Sequence, residues 1–411
     1  MVYGLLLAFI MLIPQMAHAS RLWSSGFELN SMTAGVEWDT VTGSPTNDAT
    51  IKRTGSYSMR CNVSAATAYG VKNTATLGSG PTWYVRFYMY IASMPTGGDC
   101  EIFRELVADG VAVQLRTTGT LVRRQVSGGA KIGPESAALS TGQWYRIEVS
   151  FNFANVSQLN LDGVMVSSDT VTGISCTSFR VGAGTDGTNS TADLYFDDVA
   201  HNDSNGSTQN SFPGSGGIIH LMPDSQGDTL TSVTLGGTSP AATAWQSTDE
   251  IPPNDNVDVG SMTATSVVWD SSMTASGIAT GSTITLVHVG LRARASSAAS
   301  CTIAAYIKSQ ASGTLKPVTG SSTTFAVSTW STNDDSATTS PYYKLTEYVD
   351  PQAGGPWSPA LLDTMQVRLK SSDVTPRPQI STIWVLVDYI PAVGGGGTTT
   401  ITDRRRIVIS Q

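Results

Sequence analysis

Carboxylates that could do acid–base chemistry are concentrated in residues 192–203. Alternation along the strand predicted there puts Asp193 and Asp197 on one face and Asp198 on the other. A glycoside hydrolase on a β-sandwich would need two carboxylates at nucleophile and acid spacing, in a strand of the form Glu-x-Asp-x-x-Glu. The sequence contains no such strand. We therefore expect no catalytic residues and no enzyme activity.

The same segment offers oxygen ligands of the kind that calcium prefers. Asp197, Asp198, Asp203 and Asn205 are hard donors, and Gly206 follows them as a turn residue. The glutamate that an EF-hand places six residues after its glycine is absent. Two interpretations stay open: a calcium site, or solvated acids that cap a strand. No other cofactor is expected, because the four cysteines lack CxxC spacing and the histidines are isolated in the sequence.

Aromatic residues form a second candidate site on segment 83–91. Strand alternation puts the apolar residues from Trp83 to Ile91 on one face, which we assign to a core. The opposite face then carries four residues: Tyr84, Arg86, Tyr88 and Tyr90. Aromatic rings with polar tips beside an arginine can bind a glycan. The alternative is that this stripe packs beneath a loop or against a neighbouring subunit.

The composition indicates the elements that must position these residues. The chain has 411 residues, 40 of them glycine, and only 14% are charged. Short runs of β-branched and aromatic residues between turn residues are typical of an all-β protein. A net charge of −8 argues against a nucleic-acid surface, and Arg404–Arg406 alone is too small a basic patch to change that.

The order of predicted strands divides the chain into five parts. The apolar run from Leu5 to Ile13 and the small residues at Ala17 and Ala19 predict a secretory signal peptide, although no Lys or Arg precedes the run. The alternative is a true start near Arg21. In the last β unit, Ser358 before Pro359 predicts a short helix. The five parts are a signal peptide over 1–19, a β-sandwich over 20–205, an ordered connector over 206–262, a smaller antiparallel sandwich over 263–391, and a flexible tail over 392–411.

The first sandwich resembles the concanavalin A-like, or laminin-G-like, jelly roll. Its late signature is a strand reading W-Y-R-I-E-V, here Trp144–Val149, then a hairpin with D-G at Asp162–Gly163, then a strand ending in D-D at Asp197–Asp198. The resemblance implies the fold of about 180 residues. It implies little about function, because this fold carries lectins, hydrolases and structural modules alike.

The linear order of motifs across residues 21–389 resembles that of structural proteins from tailed bacteriophages, found among tail, fibre and other virion genes. The D-D-x-x-x-N-D strand end is followed by F-P-G and L-x-P, then by a Trp and D-E-x-P-P. Next come P-W-S and the strand I-S-T-I-W-V-L-V-D-Y. The resemblance implies a non-enzymatic protein of the phage particle, acting in assembly or host-surface binding. Its partners would be copies of itself or other virion proteins, with no nucleic acid.

A second interpretation follows if the signal peptide is real. The chain would then be a secreted bacterial carbohydrate-binding protein that meets a cell-surface glycan, with no membrane attachment after signal removal. A glycan hydrolase on the same fold is the weaker third alternative, because no carboxylate pair supports it. We also expect the tail segment Ile407–Ile409 to dock on a neighbour by strand addition.

Overall fold

The computed structural model describes most of the chain between residues 21 and 392. Over these residues the fold is all-β, with antiparallel sheets that stack into two sandwiches, as the composition and alternation predict. The signal segment and the tail lie outside the described residues. The described ranges are 21–73, 82–107, 110–126, 129–151, 156–170, 177–185, 190–297, 299–316, 322–325, 330–331 and 343–392.

The first sandwich pairs an eight-stranded sheet A with a seven-stranded sheet B. Its core contains the apolar side chains of alternating strand positions, among them Trp83, Phe87 and Ile147. The strand order is β13-β12-β11-β6-β15-β4-β3 in sheet A, where β1 also pairs with β15, and β10-β9-β8-β7-β14-β5-β2 in sheet B. The strands are β1 (Arg21–Ser25), β2 (Thr40–Thr42), β3 (Thr46–Asp48), β4 (Ser58–Val63), β5 (Ala68–Asn73), β6 (Trp83–Thr96), β7 (Cys100–Glu105), β8 (Val111–Leu115), β9 (Leu121–Gln125), β10 (Lys131–Ile132), β11 (Trp144–Phe151), β12 (Val156–Leu161), β13 (Val164–Thr170), β14 (Ser178–Gly184) and β15 (Thr191–Asp203).

The second sandwich pairs a six-stranded sheet C with a five-stranded sheet D around its own core. Sheet C has the order β18-β19-β26-β21-β24, with β16 also on β26, and sheet D has the order β17-β20-β25-β22-β23. The strands are β16 (Gly217–Leu221), β17 (Pro223–Leu230), β18 (Val233–Gly236), β19 (Val259–Met262), β20 (Val267–Met273), β21 (Thr283–Ala295), β22 (Cys301–Lys308), β23 (Ser322–Phe325), β24 (Tyr343–Glu347), β25 (Gln366–Ser371) and β26 (Pro378–Ile390).

Two short helices lie among the described residues of the second sandwich. A single 3₁₀ turn spans Trp245–Ser247. The helix α1 spans Pro359–Leu362, and its N-cap Ser358 accepts a hydrogen bond from the Leu361 N–H. The predicted helix is confirmed, because the serine cap and the proline after it act locally. Among the described residues, no helix has the length and apolar character needed to cross a membrane.

The second sandwich starts earlier in the chain than the predicted boundary at residue 263. Four strands, β16 to β19, come from the segment assigned to a connector. β16 pairs with β26, so that Gly217 lies opposite Tyr389, and β19 pairs with the same strand at Gly260 and Ile380. Only residues 204–216 run between the sandwiches without forming a strand.

Candidate functional site on the outer face of sheet A

The outer face of sheet A carries polar and aromatic side chains in ordered cross-strand rows. On β6 the apolar residues from Trp83 to Ile91 enter the core, so Tyr84, Arg86, Tyr88 and Tyr90 lie on the outer face, as alternation predicts. In the neighbouring strands, Trp144 and Tyr195 flank Tyr90, Arg146 and Asp197 flank Tyr88, Glu148 and Ala200 flank Arg86, and Ser150 and Asn202 flank Tyr84.

Residues 209–218 cover the half of this face that contains Arg86 and Tyr88. The Gly216 N–H donates to the Tyr88 hydroxyl, and the Gly214 N–H donates to Glu148 at 2.8 Å. The Arg86 guanidinium donates to the carbonyl oxygens of Asp198 and Gly214. As a result Arg86 is 0% exposed and Tyr88 only 6%.

The four-residue glycan platform predicted from the sequence is therefore corrected. Arg86 and Tyr88 are buried beneath the crossover between the sandwiches. Tyr84 is half-buried, and its ring meets the edge of Phe212 at a centroid distance of 5.0 Å. Of the four residues, Tyr90 alone lies away from the crossover. The other three match the alternative that the stripe packs beneath a loop.

A buried ion cluster joins the two sandwiches at this place. Asp388, near the end of β26, accepts hydrogen bonds from Arg21 at 2.7 Å and from Arg86 at 3.3 Å. The side chains of Arg21 and Asp388 are each 2% exposed. Arg21 also donates a hydrogen bond to the Asn202 side chain. The pKa of Arg21 is lowered because the side chain is buried, and the charge of Asp388 opposes part of this shift. An added Cβ at Gly216 would lie 2.5 Å from Arg86 Nη1 and 2.6 Å from Asp388 Oδ1, so a larger residue there would displace this ion pair.

A second buried cluster lies beside the first. Asp198 accepts hydrogen bonds from the Arg53 side chain, the Thr54 hydroxyl and the Ile218 N–H. Ile218 lies in β16, the first strand of the second sandwich. Arg53 also lies over the ring of Tyr88 at 3.4 Å. The Arg53 N–H donates to Asp197 at 2.8 Å. Burial, and then the charge of Asp198, raise the pKa of Asp197 well above its usual range.

These contacts also correct the predicted calcium set. Asp197 and Asp198 are 0% exposed, and protein donors occupy their oxygens. Asp203 accepts from the backbone and the side chain of Asn205 at 3.0 Å, inside one turn. The four residues therefore act as two pairs in separate hydrogen-bonded arrangements. Among the residues that the structure describes, no group of three or more His, Cys, Asp or Glu side chains could hold a metal ion.

An apolar contact completes the junction between the sandwiches. Leu29 and Val36 of the first unit pack against the outer face of sheet C, and Trp384 is the largest side chain of this cluster. Gly290 on β21 makes room for the indole, because an added Cβ would lie 2.2 Å from its ring. The remaining members of the cluster are Ile218, Met222, Leu286 and Leu386.

The row at Tyr90 stays open beyond the crossover. Tyr90 lies between Trp144, at a centroid distance of 5.5 Å, and Tyr195, at 5.9 Å. Arg60 extends the row over the Tyr195 ring at 5.4 Å and holds Asp193 through two hydrogen bonds of 3.0 and 2.8 Å. Tyr90 and Trp144 are half-buried, while Tyr195 is 3% exposed. This row, Trp144–Tyr90–Tyr195–Arg60, is named the open row.

Of the open row, only Tyr90 is predicted as a site residue from the sequence. Trp144 belongs to the fold signature W-Y-R-I-E-V, and nothing in the sequence alone puts Tyr195 or Arg60 beside Tyr90. A signal was present, since outward positions on three alternating segments carry aromatic residues. Which strands lie next to each other was the missing information, because β4, β6, β11 and β15 are far apart in the sequence.

Comparison with known proteins gives a fold likeness only. No protein-family model and no curated protein matches this chain. The cellulose-induced protein Cip1 is 14% identical, with a TM-score of 0.36, over 47% of this chain and 99% of that one. The botulinum neurotoxin serotype D binding domain is 15% identical, with a TM-score of 0.35, over 46% of this chain and 49% of that one. The Paraclostridial Mosquitocidal Protein 1 binding domain is 16% identical, with a TM-score of 0.31, over 42% and 44%.

This chain therefore spans about half the length of the neurotoxin and mosquitocidal domains that it matches. Likenesses at these identities and TM-scores carry no argument about function.

Proposed function

We propose that the chain is a non-enzymatic structural or adhesion protein of a tailed phage particle. In this role the two sandwiches act as one rigid body that contacts other virion proteins or the host surface. The function needs shape-complementary surfaces and no bond chemistry.

The observation that carries the proposal is the junction. Three of the sequence motifs that carry the phage resemblance, D-D, F-P-G and V-D-Y, contribute to it, although V-D-Y lies far along the chain from the other two. Asp198 of D-D binds the start of β16, Gly214 of F-P-G binds Glu148, and Asp388 of V-D-Y binds Arg21 and Arg86. An arrangement that fixes one sandwich on the other gives these three motifs a structural role that needs no catalytic chemistry.

A fixed body also suits assembly in repeated copies. Relative motion is the default for two domains unless their interface is large and apolar. Here the interface combines an apolar cluster around Trp384 with ion pairs that are at most 2% exposed at Asp388. A rigid unit loses less conformational entropy when it joins a symmetric assembly than two loosely tethered domains would.

The test is peptide mass spectrometry on phage particles purified from a culture that carries the gene. We expect peptides of this chain in the particle, at a ratio to the major capsid protein that stays constant through a second density gradient. The matched measurement is the same analysis of the culture medium after particles are removed. A chain found only in the medium, with Ser20 as its first residue, would overturn the proposal.

The open row favours a second candidate, a secreted carbohydrate-binding protein. Half-buried rings beside charged groups offer both an apolar surface and hydrogen-bond partners, which a sugar ring uses on its faces and its hydroxyls. Tyr90 and Trp144 supply the rings, and Arg60 and Asp193 supply the polar groups. The row is short, so it fits one or two sugar units.

A glycan-array screen of residues 20–411 tests this candidate. Any glycan that binds should lose at least about tenfold in affinity with Trp144→Ala, since truncation of an aromatic binding anchor costs 2 kcal/mol or more. Tyr306→Ala is the matched control, because Tyr306 is a half-buried aromatic beside Lys370 on the second sandwich. Equal losses in both variants, or no glycan bound at all, would remove this candidate.

A further inference from the structure

The strand β13 is the longest edge strand of the described sheets that lacks Pro, Gly and Lys. Ten described strands pair with one neighbour only: β1, β2, β3, β10, β13, β16, β17, β18, β23 and β24. β13 has seven residues and contains no Pro, Gly or Lys. β17 is longer but contains Pro223 and Gly227, and the other eight strands have five residues or fewer. Proteins commonly protect edges by shortness, proline, lysine or a β-bulge. β13 contains one bulge, at Val166, so its first residues, Val164 and Met165, form the regular part of the edge.

The exposed apolar side chains of this edge set it apart further. Val164 is 70% exposed and Met165 is 59% exposed, the highest values among the large hydrophobic residues described. Consecutive strand residues point to opposite faces, so both faces of β13 are in solvent at this point. The turn before it, Asp162–Gly163, has positive φ at both residues (51° and 83°). Such a turn matches the right-handed twist of the two strands that it joins.

We propose that β13 is a docking edge for residues 404–409 of a second copy of this chain. The occupant reads Arg-Arg-Arg-Ile-Val-Ile, with three β-favouring apolar residues after three cations. It lies outside the described residues, and Gly394–Gly397 separate it in sequence from the last strand, β26. Strand addition supplies backbone hydrogen bonds to such an edge, and the facing side chains set the register.

One antiparallel register matches the apolar groups. With Val408 opposite Met165, Ile409 lies opposite Val164 and Ile407 opposite Val166. Beyond Met165, the β-bulge at Val166 shifts the side-chain alternation of β13. The three arginines then lie along residues 167–169, near the exposed acid Asp169, without a fixed pairing across the strands. The inference rests on the proposed function in the sense that it names the contact through which copies assemble.

Mixed disulfide formation tests the contact and its source. Met165→Cys and Val408→Cys are made in separate chains, which are mixed and oxidised mildly, so that a mixed bond can form only between copies. The described native cysteines, Cys61, Cys100 and Cys301, are buried. The control replaces Met165→Cys with Ile251→Cys, since Ile251 is a 39% exposed apolar residue elsewhere on the body. We expect at least tenfold more mixed disulfide for the Met165→Cys pair.

A second variant ties the result to the edge itself. Met165→Lys puts a charge at an exposed position of the edge, where natural edges carry one. Docking of copies at this edge predicts a mass by light scattering that rises with protein concentration, and this variant should abolish that rise. Deletion of residues 393–411 should do the same. Two outcomes would overturn the inference. One is no excess of mixed disulfide over the control. The other is a disulfide that forms only when both cysteines are in one chain, while the mass stays monomeric. A chain that is present in particles but shows no such contact would leave the proposed function standing.

Discussion

The ion cluster at Asp388 predicts a large loss of stability when its carboxylate is removed. Asp388→Ala leaves Arg21 and Arg86 buried without their shared counter-charge, and Arg86 is 0% exposed. Breaking a buried pair by removal of one partner costs about 3–5 kcal/mol, because the remaining charge is desolvated and unpaired. For a unit of sandwich size this lowers the melting temperature by roughly 6–20 °C.

The assay is equilibrium unfolding in urea, with Asp193→Ala as the matched control. Asp193 also pairs with an arginine, Arg60, but their side chains are 19% and 34% exposed. An exposed pair contributes about 0–1 kcal/mol. If the two variants lose the same free energy of unfolding within about 0.5 kcal/mol, the buried-charge reasoning fails.

A charge-free triple variant separates unpaired charge from lost packing. Arg21→Met, Arg86→Met and Asp388→Leu together remove the whole cluster and keep apolar volume at the junction. Replacing a buried ion cluster by apolar residues is often neutral or stabilising, so this variant should unfold close to the wild type. A triple variant that is as unstable as Asp388→Ala would show that packing, or the hydrogen bonds of Arg21 and Arg86 to Asn202, Asp198 and Gly214, rather than unpaired charge, sets the loss.

Two further predictions concern the interior. Gly290→Ala should lower the free energy of unfolding by about 1–3 kcal/mol, because its Cβ would overlap the Trp384 ring. Gly236→Ala is the control, since its Cβ would lie 3.9 Å from the nearest atom. Similar losses of stability in the two variants, measured by thermal unfolding, would contradict this explanation. Burial raises the pKa of Glu28 to about 8 and of Glu37 to about 7, from 4.5. The folded state then holds protons that the unfolded chain has released, so stability should fall as pH rises from about 5 to 8. The urea unfolding midpoint should depend less on pH across that range in Glu28→Gln than in the wild type. The same pH dependence in both proteins would refute this prediction.

Local patterns in the sequence predicted the elements well. The alternation on β6 separates core from outer residues because a strand has a period of two. The helix after Ser358 follows from a cap and a proline that act within one turn. Both signals are complete within a few residues, so no knowledge of the tertiary structure is needed to interpret them.

Contacts between segments that are distant in the sequence determine features that local patterns do not predict. Arg86 and Tyr88 are buried by Gly214 and Gly216, each about 128 positions away from its partner in the chain. The predicted connector became strands because β16 finds its partner in β26, at the opposite end of the second unit. Turn-rich composition, which suggested a linker, is equally compatible with short strands of a sandwich.

The link between Arg21 and Asp388 also sets an order for folding during synthesis. The two residues are 367 positions apart, and Arg86 precedes Asp388 by 302 positions. At about 5–20 residues per second, a ribosome needs roughly 15–60 s after making Arg86 to supply its counter-charge. The first sandwich can therefore close its own core early, but its outer face keeps Arg21 and Arg86 uncompensated until the last strand emerges. Any chain that stops before β26 would leave the outer face of sheet A uncovered. Such truncated chains should therefore be prone to association with other molecules, and should not behave as small stable domains.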